Sequence, residues 1–181
     1  FEGGIALGLS MNRAHELLGS SKKLDGIGVH FTIAIALVHC DIIKDNSGCV
    51  FIVDDEGNEV SYILFLEKDY LLSFDGYLHQ KPSYEYIELL EDSILYELNI
   101  EELKHLYETD LELSNFGRTL ADQFAYITEQ RFIDRLSLSA TARYKKLIET
   151  HPEILQRIPL KYIASYLGIT QVSLSRIRAK I

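Results

Sequence analysis

Between Pro159 and Arg178 the chain reads Pro-Leu-Lys-Tyr-Ile-Ala-Ser-Tyr-Leu-Gly-Ile-Thr-Gln-Val-Ser-Leu-Ser-Arg-Ile-Arg. Few structures meet every local demand of this segment. Pro159 suits the first turn of a helix, where its missing N–H is not needed. Gly168 falls where the chain must turn sharply with positive φ, and Thr170 is a good N-cap for a second helix. Ile163, Leu167, Ile169, Leu174 and Ile177 supply apolar contacts between two short helices, and Ala164 is small where they cross. These are the separate requirements of a helix-turn-helix. Gln171, Ser173, Ser175, Arg176 and Arg178 leave the second helix, 171–181, polar and basic on its outer side. An ordinary αα-hairpin packed inward is the alternative, but it has no need of that basic face.

Charge follows the same division. The 181-residue chain carries a net charge of −9, which by itself argues against a nucleic-acid partner. Residues 131–181, however, hold ten Lys/Arg and three Asp/Glu, a net of +7, whereas residues 1–130 hold eight Lys/Arg and 24 Asp/Glu, a net of −16. An acidic body with a basic tail is the asymmetry expected when only the tail meets phosphate. A solvated basic surface is the plainer reading of the same numbers.

Upstream, Cys49–Val53 and Val60–Leu66 are β-rich runs around Asp54-Asp55-Glu56-Gly57-Asn58-Glu59, which predicts a hairpin. A second strand pair is expected at Tyr84–Leu90 and Ile94–Leu98, and short strands between turns suggest an antiparallel roll or barrel. Asn99 with Glu102 resembles a capping box. A long helix is expected from about Leu113 to Leu136, roughly 36 Å at ~1.5 Å per residue. Phe116, Leu120, Phe124 and Ile127 share one stripe of it, which either packs on its own domain or forms a dimer seam. Ser139 is expected to cap a further helix through Ile148. Residues 1–40 support no clear assignment.

Other chemistry finds little support. Cys40 and Cys49 are too few for a disulfide framework or an all-cysteine cluster; they read as core thiols, with a redox pair the alternative. The six histidines show no metal spacing, and there is no nucleophile elbow or phosphate loop. Ile27–Val38 is too short to span a bilayer, and no signal-peptide pattern opens the chain. The expectation is a cytoplasmic protein that is not an enzyme, with no cofactor, no metal and no membrane partner.

Over roughly residues 48–181 the chain resembles the cyclic-AMP receptor protein/fumarate-nitrate regulator (Crp/Fnr) family. The resemblance rests on Gly48-Cys49-Val50, the Asp55–Glu59 turn, the long helix and above all Ile158–Ile181. It implies an α+β fold: an antiparallel, cyclic-nucleotide-binding-like β-roll over 1–112, a dimerisation helix over 113–136 and a helix-turn-helix domain over 137–181. By the same resemblance the stripe Phe116, Leu120, Phe124 and Ile127 becomes the dimer seam, and double-stranded DNA, a second copy and RNA polymerase are the implied partners.

Two departures from the family pattern bear on function. The Gly-Glu pair that holds a ribose falls at Leu72-Ser73, and the phosphate-binding Arg falls at Ser83. No Arg lies between Arg13 and Arg118. This leaves a degenerate cassette around Ser73, Lys81, Ser83 and Tyr84, and without a guanidinium fork cyclic AMP is not expected to bind. On the second helix Val172 stands where the family often carries Glu, whereas Ser175 and Arg176 match base-contacting positions. Val offers only apolar contact, for example with a thymine methyl, so a different DNA site is expected.

The candidate DNA-contacting residues are therefore Lys161, Thr170, Gln171, Val172, Ser173, Ser175, Arg176, Arg178 and Lys180. The function expected is a homodimeric transcriptional regulator with an unidentified effector or none. A small-molecule-binding or protein-interaction module that has lost DNA binding is the alternative.

Overall fold

The computed structural model describes residues 21–24, 35–37, 47–66, 69–79, 83–91, 93–98 and 100–181. Lys81, Asn99, Cys40 and nearly all of the uninterpreted stretch 1–40 lie outside these residues.

The fold is α+β. Strands β1 (Ser21–Leu24), β7 (Ser93–Leu98), β2 (Ile35–Leu37) and β5 (Tyr70–Leu72) form one antiparallel sheet in that order. A second sheet has β3 (Gly48–Val53) between β4 (Glu59–Phe65) and β6 (Tyr86–Leu89). The expected hairpin is β3–β4. Gly57 takes φ +83° at its turn, and Asp54 Oδ1 accepts from the backbone N–H groups of Glu56 and Asn58. The second expected pair is corrected: β6 and β7 are consecutive in sequence but belong to different sheets.

Alternation along β3 gives the second sheet two different faces. Val50 points into a cluster with Phe65, Leu71 and Leu89. Its neighbour Cys49 points the other way, into a cluster with Leu66 and the C-terminal residues Tyr144, Leu147, Ile154, Ile158, Tyr162, Ile163, Ala164, Leu167 and Leu174. Cys49 is fully buried, and its thiol is pushed up to about 12, first by burial and then by Glu88. This is a core thiol, held as the unreactive neutral form. The larger apolar cluster thus runs continuously from the second sheet into the C-terminal helices.

Seven helices are described. The first three are α1 (Phe74–His79), α2 (Ile100–Thr109) and α3 (Leu111–Ser137). They are followed by α4 (Ala140–Thr150), α5 (Ile154–Arg157), α6 (Leu160–Tyr166) and α7 (Gln171–Arg178). The long helix α3 begins two residues before the expected Leu113, because the Asp110 carboxylate accepts from the N–H groups of Glu112 and Leu113 at 2.9 and 3.1 Å. An acidic N-cap satisfies orphan donors and complements the helix dipole. Ser139 caps α4 as expected, accepting from Ala142 N at 3.2 Å.

Candidate nucleic-acid interface

The C-terminal unit is built around α6 and α7. Pro159, at φ −56°, leads into α6. Gly168 adopts φ +67° in the turn, a conformation that costs an L-residue roughly 1–2 kcal/mol. Thr170 Oγ1 accepts from Ser173 N at 3.1 Å and caps α7. Ile163 and Leu174 are fully buried, Ala164 and Leu167 nearly so, and Ile169 and Ile177 pack against them. The Ile169 N–H donates to Ala164 O at 3.0 Å, closing the turn. The geometry is that of a helix-turn-helix.

The outer side of α7 is open. Gln171, Val172, Ser175, Arg176 and Arg178 are exposed, as are Thr170, Lys161 and Lys180. Val172 is 61% exposed although apolar. Ser173 differs: it is half-buried, and its hydroxyl sits 2.9 Å from Thr170 Oγ1, which makes it part of the cap. Lys161 reaches across the Tyr162 ring, its Nζ 4.2 Å from the centroid.

Net charge counts all ten basic residues of 131–181 alike, but Arg131, Arg143 and Arg157 are half-buried and Lys146 is held in an ion pair. Arg143 donates to Leu138 O at 2.6 Å and Leu167 O at 2.9 Å, tying the α3–α4 turn to the end of α6. Lys146 pairs with Asp134, and Arg157 pairs with Glu91. Arg131 lies 4.6 Å over the Tyr166 ring and donates to Tyr62 O. Arg135 sits beside Gly168, where an added Cβ would come within 3.0 Å of its Nη2. The exposed cations of this segment are Arg135, Lys145, Lys146, Lys161, Arg176, Arg178 and Lys180.

On α3 the expected stripe is only partly covered by its own chain, with Phe124 37% exposed. Phe116, Leu120 and Ile127 are half-buried, and the Phe124 ring lies 5.0 Å from that of Phe74 on α1. Nearby, Tyr107 of α2 presses on the helix where Gly117 has no side chain. Other apolar residues project from α3: Tyr126, Phe132, Ile133 and Leu136, exposed by 63, 64, 44 and 72%. At 100° per residue Phe132 and Leu136 lie on the opposite side of the helix from Phe116 and Ile127, and Tyr126 and Ile133 lie on its flank, roughly a quarter-turn or more away. Reading a single stripe missed them, although the apolar residues after Ile127 were visible in the sequence.

In the cassette region Ser73 Oγ donates to Ser83 Oγ at 2.9 Å, and Ser83 Oγ donates to Glu85 Oε2 at 3.1 Å. Tyr62 Oη donates to the other oxygen of the same carboxylate. Burial first, then Glu85, holds the Tyr62 phenol protonated, well above its ordinary value. Tyr84 is exposed. The position expected for an anion-binding Arg is thus a serine bonded to a carboxylate. Among the described residues, no group of three or more His, Cys, Asp or Glu could hold a metal, and no helix is long and apolar enough to cross a membrane.

No protein-family model and no curated protein matches the sequence. Solved structures do match, across nearly the whole chain. The catabolite activator protein of Thermus thermophilus aligns with 96% of this chain and 84% of its own, at 16% identity and a TM-score of 0.55. A chain from Eubacterium rectale assigned to the Crp/Fnr family of transcriptional regulators aligns with 94% and 82%, at 17% identity and 0.64. The c-di-GMP-responsive global regulator CLP of Xanthomonas campestris gives 94% and 91%, at 13% identity and 0.64. The chain has the fold of the Crp/Fnr-family regulators.

Proposed function

We propose that this protein is a homodimeric transcriptional regulator that reads double-stranded DNA through α7. The observation that carries this reading is a capped, buried-backed helix whose outer side is wholly exposed and bears Gln171, Val172, Ser175, Arg176 and Arg178. In a helix-turn-helix the second helix enters the major groove by its N-terminal half. Arg176 is the residue best suited to a bidentate contact with guanine O6 and N7, and Val172 to a thymine methyl. Lys161 and Lys180 serve as phosphate contacts, and Thr170 and Ser173 hold the helix start.

The second copy lies against α3. Phe116, Leu120 and Ile127 are half-buried and Phe124 packs on Phe74, so the more exposed Tyr126, Phe132, Ile133 and Leu136 are the residues we place against the partner helix. The β region is a cyclic-nucleotide-binding-like roll without the means to hold a cyclic phosphate, because Glu85 would repel the anion that a guanidinium should attract. Its effector is therefore a different ligand, or there is none. Promoter-bound RNA polymerase in the cytoplasm is the setting that this reading implies.

Binding of a randomised duplex pool, followed over a range of salt concentrations, tests the proposal. A specific consensus with two half-sites and affinity falling with salt supports it. No salt-dependent binding to any duplex would leave the chain as a ligand-binding or protein-interaction module.

A further inference from the structure

The β3–β4 register breaks at one point. Val50 faces Ile63 and Phe51 faces Ser61, so Tyr62 has no partner on β3. It is the extra residue of a β-bulge, a device that re-aims a side chain and frees backbone groups from the ladder. Both consequences are visible here. The Tyr62 phenol donates to Glu85, which is linked through Ser83 to Ser73. The Tyr62 carbonyl accepts from Arg131 of α3, whose guanidinium stacks on Tyr166 of α6.

Its surroundings make this bulge more than a local kink. Among the described strands β4 lies at the edge of its sheet, and an edge presents unpaired N–H and C=O groups. In this chain they are covered by the helices of the DNA-reading unit and its neighbour. Ser165 Oγ of α6 accepts from Ser61 N at 2.8 Å and donates to Glu59 O at 3.3 Å, while Arg131 donates to the Tyr62 carbonyl. A shift of the Tyr62 backbone therefore moves the groups against which α6 is seated.

We infer that Tyr62 is a positioning residue that couples the Ser73–Ser83–Glu85 cluster of the β region to α6 through Arg131. The inference rests on reading α6 and α7 as the DNA-reading unit. A change at the cluster, whether a bound ligand or a missing hydrogen bond, releases the phenol, relaxes the bulge and loosens the grip of Arg131. The orientation of α7 then changes without any ligand touching the helices.

Hydrogen–deuterium exchange on the full free chain tests this. Tyr62→Phe keeps the ring and removes only the hydroxyl, whose hydrogen bond goes to Glu85 in the β region. Its exchange over Leu160–Tyr166 should rise roughly tenfold, the scale set by one hydrogen bond to a charged group, while α4 exchanges at the wild-type rate. Arg131→Gln should produce the same change, and the double variant no more than either alone. Glu85→Ala should match Tyr62→Phe, and Glu85→Gln, which retains an acceptor, should restore slow exchange. Wild-type exchange over α6 in Tyr62→Phe, additive effects in the double variant, or a uniform rise across all helices would each overturn the coupling. Because exchange is read without DNA, a protein that shows this pattern yet binds no duplex would refute the proposed function and leave the coupling standing.

Discussion

Arg157 and Glu91 meet in a two-pronged ion pair, Nη2 to Oε2 at 2.6 Å and Nε to Oε1 at 3.2 Å, across 66 residues of sequence. The side chains are 20 and 26% exposed, so the pair is partly shielded from water and its geometry is bidentate. Hydrogen bonding from Arg157 holds the Glu91 carboxyl below its ordinary range. A carboxylate with a depressed folded-state value stabilises the fold at neutral pH. That contribution is lost as pH falls from the ordinary carboxylate value down through the folded one. Glu91→Gln should cost about 1–2 kcal/mol at pH 7, and the gap from wild type should narrow in urea titrations at progressively lower pH. A gap that is constant with pH would show that the pair contributes nothing through its charge.

Oligomeric state separates the two faces of α3. Ile133→Asp or Leu136→Asp should give monomers in sedimentation experiments and weaken operator binding. Phe124→Asp, by contrast, should chiefly lower stability, because its ring packs on Phe74. Dimeric Ile133→Asp together with monomeric, well-folded Phe124→Asp would return the seam to the Phe116–Ile127 stripe.

Salt dependence reports how many cations face the DNA. Seven exposed basic residues per chain in 131–181, Arg135, Lys145, Lys146, Lys161, Arg176, Arg178 and Lys180, allow a dimer a log–log slope no steeper than about −13, at ~0.9 per phosphate. Participation of all ten would allow about −18. A slope well beyond about −13 would mean that the half-buried Arg131, Arg143 and Arg157 come free on binding. Within this set, Lys180→Ala should flatten the slope by about 1 for each phosphate left without its lysine, and leave the consensus intact. Arg176→Ala should cost about 1–3 kcal/mol at the preferred site and relax one symmetric position.

Cyclic AMP and cyclic GMP should give no heat of binding in calorimetry at micromolar concentrations. Ser83 and Ser73 are already bonded to each other, and Ser83 also to Glu85. Micromolar binding of either nucleotide would show that Lys81 or another cation replaces the missing guanidinium.

The helix-turn-helix was legible because its requirements are local. A positive-φ glycine, a hydroxyl cap and five apolar positions each leave a mark in the sequence, and the observed φ at Gly168 and the bond from Ser173 N to Thr170 match them. The start of α3 was legible too: Asp110 before an apolar run is an N-cap signal that a helix begun at Leu113 passes over. What could not be read were pairings between distant segments. Nothing local to Ser165 marks it as the cover for Ser61 and Glu59, and Glu91 lies far from Arg157 in sequence. β6 and β7 read as one hairpin because adjacency in sequence does not reveal which sheet a strand joins. The net charge of the tail likewise overstated its open positive surface, since composition cannot tell an exposed Arg176 from an Arg143 folded onto carbonyls.

The shared apolar cluster sets a limit on engineering. A cut at the 136/137 boundary would strip Cys49 and Leu66 of their covering helices and bare the edge of β4, which another chain could then extend into a longer sheet. The unit formed by the C-terminal helices is therefore not a detachable cassette. A graft that gives it new specificity should replace only the outward residues of α7. Chimeras joined at the long helix are expected to precipitate rather than sense.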